Sequence, residues 1–202
     1  MRSDAFVYRH ESFRQRKEIT MRIISGSARG RRLESPEGLQ VRPTTDRVKE
    51  AMFSILQFDL EGTRVLDLFS GSGQLGLEAL SRGAKNAVFV DSDRRSLAIT
   101  KKNIALAGFE DVSTLVHADA LHFLQNASQI FDVVLMDPPY DKGLCAAAAE
   151  LLPRLLHPGS VVICETHESE ALPASIGPLD RPKTYRYSAT KLTVYRSGGE
   201  TG

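Results

Sequence analysis

Along this chain two kinds of apolar pattern alternate. Compact runs rich in β-branched residues, RVLDLF (64–69), NAVFVD (86–91), VSTLVH (112–117), FDVVLMD (131–137) and SVVICET (160–166), predict short strands. Between them QLGLEALSRG (74–83), DRRSLAITKKNIALAG (93–108), ADALHFLQNA (118–127) and GLCAAAAELLPRLL (143–156) carry apolar residues at helical spacing. Ahead of the first strand, TTDRVKEAMFSIL sets Val48, Ala51, Met52, Ile55 and Leu56 on one helical face, with Thr44, Thr45 or Asp46 as the N-cap. Strands separated by helices require right-handed crossovers, and therefore a mostly parallel sheet covered on both faces. The closing stretch TYRYSATKLTVYR (184–196) departs from this alternation and predicts two strands joined by a tight turn, an antiparallel C-terminal hairpin at the sheet edge. The expected architecture is a three-layer α/β sandwich.

Composition narrows the picture without changing it. With 202 residues, 42% of them hydrophobic and 25% charged, the chain suits one globular domain with a real core. Cys145 and Cys164 stand outside any C-x-x-C or His-rich context, so two buried thiols in a reducing, cytoplasmic compartment are expected, and no metal. No apolar stretch approaches the roughly 20 residues that a membrane helix needs. A monomer is expected. Residues 1–20 show neither periodicity nor a signal-peptide core and are set aside as an extension; Met21 opens the patterned region.

Charge changes the picture more, because it is uneven. Up to Lys49 there are twelve Lys and Arg against six Asp and Glu, a balance of +6; from Glu50 onward fourteen face nineteen, a balance of −5. Residues 21–49 thus read as a basic segment, a hairpin ahead of a catalytic domain over 50–202. In it Arg29, Arg31 and Arg32 lie in the Gly-punctuated SGSARGRRL, suited to a short hairpin that offers guanidinium groups to phosphates. A solvated basic surface accounts for the same cluster equally well.

Ligands of open α/β sheets bind beyond the carboxyl ends of the strands. The first strand runs into LDLFSGSGQLGLEAL, where Gly71, Gly73 and Gly76 satisfy G-x-G-x-x-G, and Asp91 closes the next strand. That spacing alone would suit a dinucleotide. Asp67 argues otherwise, since a carboxylate just ahead of the glycine loop repels a pyrophosphate and welcomes a ligand with a positive charge and an amino group. S-adenosylmethionine has both and no phosphate. On this reading Asp91 accepts from the ribose hydroxyls. Asp119, after the third strand, accepts from the adenine amine or caps the next helix, and one side chain can do both.

FDVVLMDPPYDK, after the fourth strand, supplies the acceptor side. Pro138 and Pro139 end the ladder, and DPPY resembles the [DNS]-P-P-[YFW] motif of methyltransferases that act on an amino nitrogen conjugated to a ring or amide. Such a nitrogen attacks poorly until it is held and polarised. Asp137 and the Pro138 carbonyl can each accept one N–H, and Tyr140 can stack on a base.

From Met21 to about Arg196 the chain resembles the bacterial 16S ribosomal RNA (guanine-N2)-methyltransferases, on MRIISGSARGRRL, VRPTTDRVKEAMFSIL, LDLFSGSGQLGLEALSRGA and DPPY in that order. The resemblance implies a class I, Rossmann-like methyltransferase fold, S-adenosylmethionine as donor, and a basic N-terminal hairpin on ribosomal RNA or a small-subunit assembly particle. It implies cofactor positions at Asp67, Phe69, Gly71, Gly73 and Asp91, with Asp119 beside them. It implies a catalytic loop at Asp137, Pro138 and Tyr140, and RNA contacts at Arg29, Arg31, Arg32 and Arg42. An N-methyltransferase of DNA adenine or protein glutamine would use the same loop, but the chain has no separate docking domain. An idle RNA-binding or assembly factor on the same fold is the alternative of another class.

Overall fold

The computed structural model describes residues 21–35, 43–140 and 142–198. The expected extension at 1–20 and Arg42 lie outside the described residues. Helix α1 (Pro43–Ile55) starts earlier than the sequence reading put it. Proline takes the first helical turn well because its missing N–H would have no intrahelical partner there, so none of Thr44, Thr45 and Asp46 is the N-cap.

Five strands then alternate with four helices: β1 (Arg64–Asp67), α2 (Gln74–Ser81), β2 (Asn86–Asp91), α3 (Arg94–Ala107), β3 (Ser113–His117), α4 (Ala120–Asn126), β4 (Val133–Met136), α5 (Leu144–Leu151) and β5 (Val161–His167). The chain closes with β6 (Arg181–Tyr187) and β7 (Thr190–Arg196). The sheet runs β3-β2-β1-β4-β5-β7-β6, with β1 to β5 parallel and β7 antiparallel to both neighbours. The terminal hairpin is longer than its sequence signal, beginning at Arg181 rather than Thr184. Pro182 masks the start of β6 to a reader of the sequence, yet an edge strand accommodates a residue without an N–H.

Strand period 2 sorts the core into two layers. Val65, Val133, Leu135, Val161 and Ile163 point to the face covered by α1, α2 and α3, while Leu66, Val134, Met136, Val162 and Cys164 point to the face of α4 and α5. Every one of these side chains is buried, which explains why the strands read as unbroken apolar runs.

Residues 21–33 form a narrow antiparallel turn with an isolated bridge between Arg22 and Arg32. Ile23 N–H donates to the Arg31 carbonyl at 3.0 Å and Leu33 N–H to that of Met21 at 2.8 Å. This turn is bolted to α2. The buried Glu78 carboxylate accepts from the Ile24 and Ser25 N–H groups at 2.7 and 3.0 Å, and Ser81 Oγ accepts from Ala28 N–H at 3.0 Å. Gly26, at φ +82°, lies so close to Ser81 that a Cβ there would stand 1.6 Å from its carbonyl oxygen.

β1 is the switch point, because the chain leaves it outward to β2 and β3 and then returns to β4 on its other side. The helices that follow β1 and β4, α2 and α5, lie on opposite faces of the sheet, and an α/β sheet forms its ligand crevice at such a place.

Candidate active site

A cavity of about 610 Å³ opens above those strand ends, within the range of about 300–1,000 Å³ usual for small-molecule sites. Phe69, Gly71, Asp91 and Asp119 line one part, and Asp137, Pro138, Tyr140 and Glu165 another. One wall therefore unites the glycine-loop side and the DPPY loop, two stretches about seventy residues apart in sequence.

The glycines divide the labour. Gly71 faces open space, where a Cβ would meet nothing within 4 Å, so its backbone is free to be approached by a ligand. Gly73 and Gly76 make room for packing: a Cβ would sit 2.7 Å from Thr100 Cγ2 at the first and 2.3 Å from Phe89 Cε1 at the second. Gly73 also lies off the cavity wall, at φ +79° on the threshold of α2. Helix α3 fastens the loop, with Thr100 Oγ1 donating to the Gly71 carbonyl at 2.7 Å and Asn103 Nδ2 to that of Ser72 at 2.9 Å.

Asp67 is 1% exposed and sits beneath the loop rather than on the wall. Its Oδ2 accepts from Gly76 N–H at 2.9 Å, and its Oδ1 is buried with no hydrogen-bond partner among the described residues. Burial pushes this carboxyl up to about 7; the Gly76 N–H pulls it down and nearby Asp91 pushes it further up. Asp91 accepts from Gly71 N–H and Asp93 N–H, at 2.8 Å each and on different oxygens. One lone pair remains on each oxygen for hydroxyl donors. Asp119 caps α4, its Oδ1 accepting from Leu121 and His122 N–H at 3.0 Å each, so Oδ2 is left for the cavity.

On the other side Asp137 is exposed within the cavity while the bulk around it removes water from its carboxyl. That desolvation, then the carboxylates of Glu165 and Asp67, hold its pKa well above the usual carboxylate range. Tyr140 is 38% exposed and its hydroxyl donates to Glu165 Oε1 at 2.8 Å, with Thr190 Oγ1 at 3.2 Å. Burial raises the phenol, as does the negative charge beside it. Sequence reasoning missed Glu165. The signal was present, since SVVICET closes its apolar run on an acid, as do the runs that lead into Asp67, Asp91 and Asp137. Exposed Lys142 is the one cation on the wall among the described residues.

Arg29, Arg31 and Arg32 are exposed at the tip and outgoing limb of the 21–33 turn. Arg31 is partly committed, its Nη1 donating to the Leu106 carbonyl in the last turn of α3 at 2.7 Å.

Known proteins are similar over three quarters or more of the chain. Ribosomal RNA small subunit methyltransferase D of Haemophilus influenzae is 37% identical over 157 residues, which are 75% of this chain and 81% of that one. YlbH of Bacillus subtilis is 34% identical over 184 residues, 89% of this chain and all of that one. The solved structure of yhhF from Escherichia coli superposes with a TM-score of 0.79 at 33% identity, covering 88% of this chain and 98% of that one. The strand order and the antiparallel closing hairpin are those of a class I S-adenosylmethionine-dependent methyltransferase. The family model described as Conserved hypothetical protein 95 matches residues 21–196, and the chain belongs to that family.

Proposed function

We propose that the chain transfers a methyl group from S-adenosylmethionine to the exocyclic N2 amine of a guanine in 16S ribosomal RNA. The observation that carries this reading is the single cavity on which the DPPY loop and the Gly71–Asp91 side meet.

The residues present fit the donor. Its sulfonium and ammonium are cationic, and this cavity is ringed by Asp91, Asp119, Asp137 and Glu165, with Asp67 beneath. The unpartnered, buried Asp67 Oδ1 is an acceptor in want of a donor, which an ammonium supplies. When bound, S-adenosylmethionine supplies an electrophilic methyl on sulfur. The protein does the rest. Asp91 binds ribose hydroxyls, Asp119 Oδ2 takes an amine of the adenine ring, and Phe69 and the Gly71 backbone shape the floor. Asp137 and the Pro138 carbonyl hold the two N–H groups of the guanine amine, which aims its lone pair into the cavity. Asp137 would strengthen its hydrogen bond to the amine as positive charge develops on the nitrogen. A carboxyl whose pKa lies above the usual range is also the better acceptor for the proton that the nitrogen then sheds.

The decisive experiment maps modified nucleotides in 16S RNA from cells with and without the protein, paired with tritiated-methyl transfer by the purified chain. Loss of one N2-methylguanosine is the expected result. An unchanged map together with an inert protein would make the chain a binding factor, and label on DNA adenine or protein glutamine would reassign the acceptor. No helix among the described residues is long and apolar enough to cross a membrane. The proposal places the protein in the cytoplasm, working as a monomer and without a metal.

RNA contact is proposed for Arg29, Arg31 and Arg32, with Arg42 from outside the described residues. Replacing the first three by Ala is expected to flatten the dependence of log affinity on log salt by roughly 0.7 to 0.9 for each phosphate left unneutralised, cofactor affinity being unchanged. Because Arg31 is tied to α3, the sum is expected nearer two phosphates than three. An RNA salt series that superposes on that of the unaltered protein would make the cluster ordinary surface.

A further inference from the structure

Glu165 is a buried carboxylate, 7% exposed, that nevertheless borders the cavity. The Tyr140 hydroxyl donates to its Oε1 at 2.8 Å, and no described residue hydrogen-bonds Oε2. Oε2 therefore keeps its lone pairs open to a donor that enters the cavity. Burial raises its pKa and the Tyr140 hydroxyl lowers it again; a further donor would act in the same sense as the hydroxyl. On the same wall stands the Asp137 carboxylate, near enough to feel the charge of Glu165, while the phenol proton of Tyr140 is directed to Glu165.

Two neighbouring carboxylates fit two neighbouring donors on the ligand. Guanine has that edge, with N2–H beside the ring N1–H. Adenine and cytosine set a ring lone pair next to their amine, and a carboxylate repels it. A base stacked on the Tyr140 ring brings its edge towards the carboxylate that this same ring's hydroxyl engages. We infer that Glu165 is a specificity-determining residue that accepts the N1–H of the target guanine while Asp137 takes the amine. The inference rests on the methyl-transfer reading above. It assigns to Glu165 the choice of base.

The test uses a synthetic 16S RNA fragment centred on the guanosine that the unaltered enzyme is first shown to modify. A second fragment carries 2-aminopurine at that nucleotide, which keeps the exocyclic amine and lacks the N1–H. Single-turnover transfer by the unaltered enzyme is expected to be about 100-fold or more faster on guanosine, because a site built to bond an N–H rejects the analogue without it. Glu165→Gln should slow the guanosine reaction by about 10- to 100-fold and the 2-aminopurine reaction by less than about 3-fold, since a side-chain amide can donate to the bare ring nitrogen. Tyr140→Phe removes the hydroxyl and leaves the carboxylate, so it should preserve most of the discrimination. Equal slowing of both bases in Glu165→Gln would make Glu165 only an anchor for Tyr140 and overturn the inference. So would equal rates on both bases with the unaltered enzyme, a result that needs no variant. If the unaltered enzyme modifies no guanosine at all, the methyl-transfer reading itself has failed.

Discussion

Asp137→Ala is expected to slow single-turnover methyl transfer by about 100- to 10,000-fold while RNA and cofactor affinities change by less than about threefold. The reason is where the charge develops. In the ground state the guanine amine is neutral and its contact with Asp137 is one hydrogen bond among many. In the transition state the nitrogen carries positive charge, and the same contact becomes charge-assisted. The Asp137 carboxyl is already held above the usual range by lost hydration and by Glu165 and Asp67, so a cation at this spot is welcome. Asp137→Asn keeps the size and one acceptor oxygen but not the charge or the basicity, and should fall between the two. A variant whose affinities drop as far as its rate would show that Asp137 only holds the ground state.

Asp67→Asn should produce two effects of opposite sign. In the folded protein without ligand the Asp67 carboxyl titrates at about 7, chiefly because it is buried, against about 4 for an unfolded carboxylate. The folded state therefore binds the proton more tightly. The stability this group contributes is present in full below about pH 4 and is lost as pH rises through about 7, at most about 4 kcal/mol in all. At pH 8 Asp67→Asn is thus expected to stabilise the ligand-free protein by about 1 to 3 kcal/mol, the advantage vanishing towards pH 4. Gly76 N–H keeps an acceptor in the amide oxygen. The same substitution should weaken S-adenosylmethionine binding by about 1 to 3 kcal/mol, and binding by the unaltered protein should release a proton below about pH 7. Thermal melts across pH and calorimetry in buffers of different ionisation enthalpy read both effects. Lower stability at pH 8 with unchanged affinity would reduce Asp67 to an anchor for the Gly76 backbone.

The acids at the strand ends made much of the site legible. Asp67, Asp91 and Asp137 each follow a buried apolar run, and a chain places a charge there for a ligand more readily than for the core. Glu165 follows the same rule and escaped notice because no motif surrounds it. Asp67 was legible as an acid by the loop, but its place beneath the backbone was not, since depth below a surface leaves no periodic trace. The glycine motif left one thing unsaid, namely that Gly73 and Gly76 also have to make room for Thr100 and Phe89. The edge hairpin was readable from Thr184 onward and hidden before it by Pro182. Glu78 looked like an ordinary polar position of an amphipathic helix. Only the tertiary arrangement reveals that its carboxylate takes the backbone N–H groups of Ile24 and Ser25.

That last contact bears on how this chain can be re-engineered. Helix α2 begins at the glycine loop and ends at Glu78 and Ser81, so one rigid rod of eight residues connects the cofactor side to the arginine-bearing turn. The turn is therefore not a portable module. A chimera that borrows a different arginine arm must import the matching α2 surface with it, including the acid and the serine, and the arm itself must keep a glycine where Gly26 meets Ser81. An arm transplanted without that socket would hang from its two chain ends, its guanidinium groups at no fixed distance from the reacting methyl.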